Sequence, residues 1–171
     1  LFQTVSCMMV GYGFARHEFR GKGVMFALML LTIVVPPQLL EIPYFMQFRY
    51  FDIFGIFRAV TGQELNLINQ YVPFWMLGTT CMGIKNCIFI FLFRQFFRNL
   101  PKELEEAGRI DGANSFGIFV RIMVPNAVTI IVTVVLLSIV WQYNDVTYTR
   151  IFYINKPSFS TAYSTLYTIT D

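Results

Sequence analysis

Residues 124–143, "VPNAVTIIVTVVLLSIVWQY", run for 20 positions without a charge. A helix needs about 20 apolar residues to cross the hydrocarbon core of a bilayer. Eleven of these residues are Val, Leu or Ile. At roughly −0.3 to −0.6 kcal/mol each near a span's centre, they favour insertion by about 3–7 kcal/mol before any penalty from Pro125 or the polar residues. Backbone in lipid must satisfy its own hydrogen bonds, so the run predicts a helix.

Three other stretches resemble it. Residues 24–40, "VMFALMLLTIVVPPQLL", carry no charge, and with "EIPYFMQF" after them they are long enough to span. Pro36, Pro37 and Pro43 should kink or end that helix in its second half. Residues 71–93 form a third run whose one charge, Lys85, costs about 2.5–3.5 kcal/mol at mid-span, so insertion is expected with little margin. Residues 1–15, "LFQTVSCMMVGYGFA", are uncharged but short, and lack the basic start and cleavage site of a signal peptide. They are expected to be the tail of a span that begins upstream. The chain is 13% charged, where soluble domains average about 25%. The net charge of +3 is too modest for a nucleic-acid binder. The fold class predicted is all-α, a polytopic transmembrane helical bundle, expected to be a fragment lacking its first and last spans.

The basic residues orient it. Loops 16–22 and 94–121 carry three and five Lys or Arg, against two each in 49–70 and 144–171. Alternation across the membrane puts the first pair of loops on one side, which the positive-inside rule makes the cytoplasm. The loop 49–70, with Arg49, Asp52, Arg58, Gly62 and Glu64, is expected to hold at most a short interfacial helix.

The segment "ELEEAGRIDGANSFGIFVRIMVP", residues 103–125, then becomes the chain's main cytosolic feature. Pro101 suits the first turn of a helix, and Glu103, Glu105 and Glu106 suit its positive end. Leu100, Leu104 and Ala107 form a narrow apolar stripe. Gly108 and Gly112 bracket its expected stop. Asn114 or Ser115 can cap a second helix, whose stripe is Phe116, Phe119, Val120 and Met123 and which Pro125 should close. Two short amphipathic helices with a bend between them are predicted. On these grounds alone, an interfacial connecting loop and a docking element remain equally open.

"EAGRIDGANSFGIFVRIMVP" resembles the cytoplasmic loop signature of binding-protein-dependent ABC transporter permeases: Glu-Ala-Ala, three residues, Gly, nine residues, Ile, one residue, Leu-Pro. Glu106, Ala107, Gly108, Gly112, Ile122, Val124 and Pro125 occupy those places. Gly108 stands for the second Ala and Val124 for Leu. "FRQFFRNLPKELEEAGRIDGA", "GYGFARHEFRGKG" and "WQYND" resemble the carbohydrate branch of that family, the maltose and glycerol-phosphate importers.

The resemblance implies a type I ABC importer permease domain over residues 1–171, partial because such permeases usually have six spans, with residues 98–125 as its coupling-helix loop. It implies that Glu106, Ala107, Gly108, Asp111, Gly112 and Phe116 dock on a cytosolic ABC ATPase dimer. Glu106 would face a basic residue there, Gly112 would allow the bend, and the apolar stripe would fill the ATPase's groove. The other implied partners are a second permease subunit, an extracytoplasmic solute-binding protein and the lipid bilayer of the bacterial plasma (inner) membrane. The implied work is import of a sugar or oligosaccharide without covalent chemistry. The loop signature is shared with importers of amino acids, peptides and ions, so another solute class stays open, as does a membrane scaffold or enzyme.

Other chemistry finds little support in the residues. No G-x-x-x-x-G-K-[ST] is present, so no cofactor is expected and ATP would bind a separate subunit. "HEFR", around the sole histidine His17, is not H-E-x-x-H. Cys7, Cys81 and Cys87 lie in apolar runs without zinc spacing and read as buried free thiols. The glycines of "GYGFA" are expected to permit close helix packing. Tyr71, Phe74 and Trp75 read as an aromatic belt in preference to a sugar platform. Lys85 and Asn86 are candidates for the translocation path, because a charge inside a span is costly unless it meets water or a partner. The alternative is a span broken there, with Lys85 reaching to one surface.

Overall fold

The computed structural model describes residues 1–52, 65–83, 85–145 and 147–152. Most of loop 49–70, with Arg58, Gly62 and Glu64, and the tail beyond Phe152, with Lys156, lie outside the described residues. The described chain is helical, apart from one isolated bridge between Phe51 and Leu65. In order, α1 is Phe2–Arg16, α2 Lys22–Leu31, α3 Glu41–Arg49, α4 Val72–Thr79 and α5 Asn86–Asn99. Then come α6 at Glu103–Ile110, α7 at Ser115–Asn126, α8 at Val128–Tyr143 and α9 at Thr147–Phe152.

The spine is α1 against α5, running parallel. Cys7, Met8, Gly11 and Tyr12 are buried on one face of α1, and Phe89, Ile90, Phe93 and Phe97 on the facing side of α5. Both sets follow helical spacing. Gly11 makes the approach possible, as "GYGFA" suggested. A Cβ there would lie 2.6 Å from Phe93 Cβ, and 3.1 Å from both Arg94 N and Ile90 O. In lipid, helices gain little from hydrophobicity itself, so tight contact through a small residue is what joins them. Tyr12 then wedges between Phe97 and Phe119, ring centroids 5.5 and 4.9 Å away. Met123, Ala127 and Val134, all fully buried, complete this core. A second cluster, Phe48, Leu67, Leu77, Tyr148, Ile151 and Phe152, forms where α3, α4 and α9 meet.

Three of the expected spans are interrupted. The run 24–40 is helical only to Leu31, then turns and continues as a 3-10 turn, Pro37–Leu40, before α3. Pro36 and Pro37 donate no backbone hydrogen bond, so the helix ends ahead of them. Pro43 sits in the first turn of α3, where the missing donor costs nothing. The run 71–93 is two helices and not one. The chain breaks between Thr79 and Asn86, where Cys81 and Lys85 take positive φ of 57° and 67°. Met82 N and Gly83 N both turn back to Leu77 O. Helix α5 continues past Phe93 to Asn99, and Arg94 lies 3.9 Å over the Phe26 ring.

The run 124–143 does not form one straight helix. Helices α7 and α8 meet at 77° around Ala127. Pro125 removes one helical hydrogen bond, and a π turn over Phe119–Met123 precedes it; both are regular causes of kinks. The Asn126 amide donates to Ile122 O at 2.7 Å, satisfying a carbonyl near the break. Among the described residues no single helix is long and apolar enough to cross a membrane. The bent pair Ser115–Asn126 and Val128–Tyr143 passes that test together.

Candidate functional site

The charged segment folds into the bent helix pair its sequence predicts. Helix α6 starts at Glu103, just after Pro101, with Glu103, Glu105 and Glu106 in its first turn. It ends in a Schellman turn. Ala113 N donates to Gly108 O and Gly112 N to Arg109 O, both at 3.0 Å, and Gly112 takes the left-handed φ of 77° this turn requires. Asn114, of the two candidates, caps α7: its Oδ1 accepts from Gly117 N at 2.7 Å. Asn114→Ala should therefore cost about 1 kcal/mol and Ser115→Ala much less, a difference readable as the shift in thermal midpoint of the purified protein.

Glu106, Ala107, Asp111, Gly112 and Phe116 all lie exposed, Phe116 at 64%. Gly108 faces the other way. A Cβ on it would lie 2.6 Å from Ile122 Cδ1 and 3.1 Å from Ile118 Cγ1. What glycine loses there in helix propensity is thus offset by close contact between α6 and α7. The apolar stripes need correction. Ala107 is exposed, while Glu105 and Gly108 are the buried face of α6. On α7, Phe119 and Met123 turn inward with Ile118, but Phe116 and Val120 stay outside. The wider π turn shifts the phase of the side chains, so 3.6-residue spacing does not hold through it.

Sequence reasoning missed what anchors α6. Arg16, at the end of α1, lies 3.1 Å from Glu105, with side chains only 6% and 10% exposed. Arg16 also donates to Leu100 O at 2.6 Å. Its loop and that of Glu105 were expected on the same side, but nothing in the sequence pairs two residues this far apart. Around them Glu18, Arg98, Lys102, Glu106 and Arg109 line a cavity of about 330 Å³. Glu18 holds Lys22 at 2.9 Å, and that hydrogen bond keeps its carboxyl below the usual range.

At the opposite end of α1 and α5, Asn86 is 1% exposed. Its Oδ1 accepts from the Gln3 amide, and its Nδ2 donates to Leu77 O at 3.5 Å. It joins α1, α4 and α5. The Lys85 Nζ stands 4.4 Å over the Trp141 ring, at the edge of a cavity of about 250 Å³. Gln3, Ser138, Gln142, Asn144 and Asp145 share that lining. The three cysteines are free thiols, Cys7 and Cys81 with sulfurs 3.9 Å apart. Trp75 and Tyr71 are exposed, while Phe74 packs on Phe152 at 5.6 Å.

The family described as "Binding-protein-dependent transport system inner membrane component" matches residues 8–169. The chain belongs to this family. Among curated proteins it is similar to the arabinooligosaccharides transport system permease protein AraQ of Bacillus subtilis, 33% identical over 73% of this chain and 39% of that protein. It is also similar to the alpha-glucoside transport system permease protein AglG of Rhizobium meliloti, 29% identical over 78% of this chain and 32% of that protein. A third relative is the sn-glycerol-3-phosphate transport system permease protein UgpE of Yersinia enterocolitica, 29% identical over 83% and 43%. The chain spans about two fifths of the length of the first curated relatives it matches.

Proposed function

We propose that this chain is part of a membrane-spanning permease subunit of an ATP-driven importer in the bacterial inner membrane. Its solute would be a sugar or oligosaccharide handed over by an extracytoplasmic binding protein. The printed names of relatives support this class, since two of the three quoted above carry arabinooligosaccharides or alpha-glucosides. Helices α6 and α7 are the coupling element for a cytosolic ATPase dimer. One observation carries the reading: Glu106, Ala107, Asp111 and Phe116 lie exposed on the bent pair, while Gly108 and Glu105 hold that pair from behind. Amphipathic helices seated in a partner's groove are a recurrent mode of recognition. The lysine and arginine excess of loops 16–22 and 94–121 puts this face in the cytosol. The Lys85 cavity then opens on the extracytoplasmic side, along the path of the solute.

The mechanism is alternating access. Closure of the ATPase dimer on ATP pushes α6 and α7; the push reaches α1 through Arg16–Glu105, and α8 through the bend at Ala127. Covalent chemistry stays in the ATPase. The test is Glu106→Arg in the complete transporter. Reversing an interface charge costs about 2–5 kcal/mol, so uptake and co-purification of the ATPase should both fall by at least 10-fold. Unchanged uptake and assembly would sink the docking role. Uptake assays with the purified cognate binding protein identify the solute class.

A further inference from the structure

The extracytoplasmic cavity has a chemistry of its own. Its volume, about 250 Å³, is some eight times the share of one water in the liquid, and falls below the range of drug-sized pockets. It has room for one sugar ring. Amides and hydroxyl-bearing residues surround it: Gln3, Gln142, Asn144, Ser138, Thr147 and Tyr148. Gln3 is held in place, giving a hydrogen bond to Asn86 Oδ1 and receiving one from Ser138 Oγ at 3.3 Å. Trp141 forms one wall, stacked on Phe89 with centroids 5.2 Å apart. Two charges of opposite sign complete the lining, Lys85 and Asp145.

That balance discriminates among solutes. Burial pushes the Asp145 carboxyl up, and the N–H groups of Tyr148 and Thr147 and the Lys85 charge pull it back. A phosphate entering here would set a second anion beside Asp145, with Lys85 the one cation among the described lining residues to offset it. A neutral ring with several hydroxyls meets donors and acceptors on all sides and disturbs no charge. Lys85 itself sits at a break in the span with left-handed backbone, a strained conformation of the kind that clusters at functional sites. Its ammonium rests on the Trp141 face, from which a hydroxylated ring can draw it into hydrogen bonds.

We propose that this cavity is a contact site for one ring of a neutral, hydroxyl-rich solute, held by Gln3, Lys85, Ser138 and Trp141, and that it excludes phosphorylated solutes. This rests on the importer reading above. Ser138→Cys in the complete transporter, reconstituted in proteoliposomes, should react with a membrane-impermeant maleimide added outside. Arabinotriose or maltose should slow that labelling at least fivefold, and sn-glycerol 3-phosphate should leave it unchanged. Lys85→Ala should raise the KM for uptake of the protecting saccharide about 10-fold while kcat holds. The site is overturned if the cysteine is not labelled, if neither saccharide slows labelling, if glycerol 3-phosphate protects as well, or if Lys85→Ala leaves KM unmoved. Those results leave the importer reading standing, since solute uptake by the wild-type transporter is measured separately; intact uptake and ATPase assembly in Glu106→Arg would strike the docking role alone, and no uptake of any solute by the wild type would strike the importer reading.

Discussion

Gly11→Val will separate the two helices that form the spine of this chain. The contact at Gly11 is made by the Cβ of Phe93 and by backbone atoms of Ile90 and Arg94, none of which can swing aside as a side-chain tip can. Even the first added carbon would lie 2.6 Å from Phe93 Cβ, well inside van der Waals contact. Overfilling a packed site costs about 1–3 kcal/mol where neighbours can adjust, and here relief requires α1 to move away from α5 as a body. The destabilisation is expected at or above the top of that range. It should appear as a lower thermal midpoint in detergent and as poor accumulation in membranes. Gly13→Val is the matched control, because no atom lies within 4 Å of a Cβ built at Gly13. Equal losses from both substitutions would mean that helix propensity, and not the α1–α5 contact, sets the cost.

This contact shows what the amino-acid order makes visible. Small residues in "GYGFA" announce a close approach but do not say to which helix, since that depends on residues some 80 positions later. Local signals were read more fully. Asn114, Gly112 and the three glutamates of α6 act within one or two turns of themselves, and the caps and the bend stand where their chemistry puts them. Apolar length was the weaker guide. Uncharged runs gave the length of candidate spans, and the prolines gave the break after Leu31 that the structure shows, but the bend at Ala127 and the left-handed turn through Cys81 and Lys85 were not fixed by run length. Hydropathy measures what lipid accepts; the course of the backbone is decided by missing N–H groups and by tertiary contacts.

The candidate coupling face was legible to a similar degree. Five of its six residues needed only to be outward, and short polar helices place such residues outward by default. Gly108 was legible as a helix-stop signal and not as a packing contact, because its partners, Ile118 and Ile122, belong to another helix. Lys85 drew notice because an isolated charge in an apolar run is conspicuous, whereas Gln3, Ser138 and Gln142 look ordinary until the fold gathers them around it.

Arg16 and Glu105 form the pair with the most to lose. Both side chains are nearly buried, and the arginine also holds Leu100 O at the end of α5. One charge thus ties α1, α5 and α6 at a single point. Removing one partner of a buried pair leaves the other charged and unmatched, which costs about 3–5 kcal/mol. Arg16→Glu should be worse still, setting two carboxylates face to face. If the pair only stabilises the fold, Arg16→Gln and Glu105→Gln will lower the protein's abundance and leave each surviving transporter with normal ATP use per solute. If, as proposed above, it carries a push from α6 and α7 into α1, the surviving transporters will hydrolyse ATP with several-fold less uptake per ATP. The exchange Arg16→Glu with Glu105→Arg separates these outcomes further. It restores opposite charges and should recover much of the stability, while the Leu100 bond, made by the guanidinium from the α1 side, stays lost. Uptake per ATP should therefore recover only in part, and full recovery would show that ion pairing alone transmits the motion.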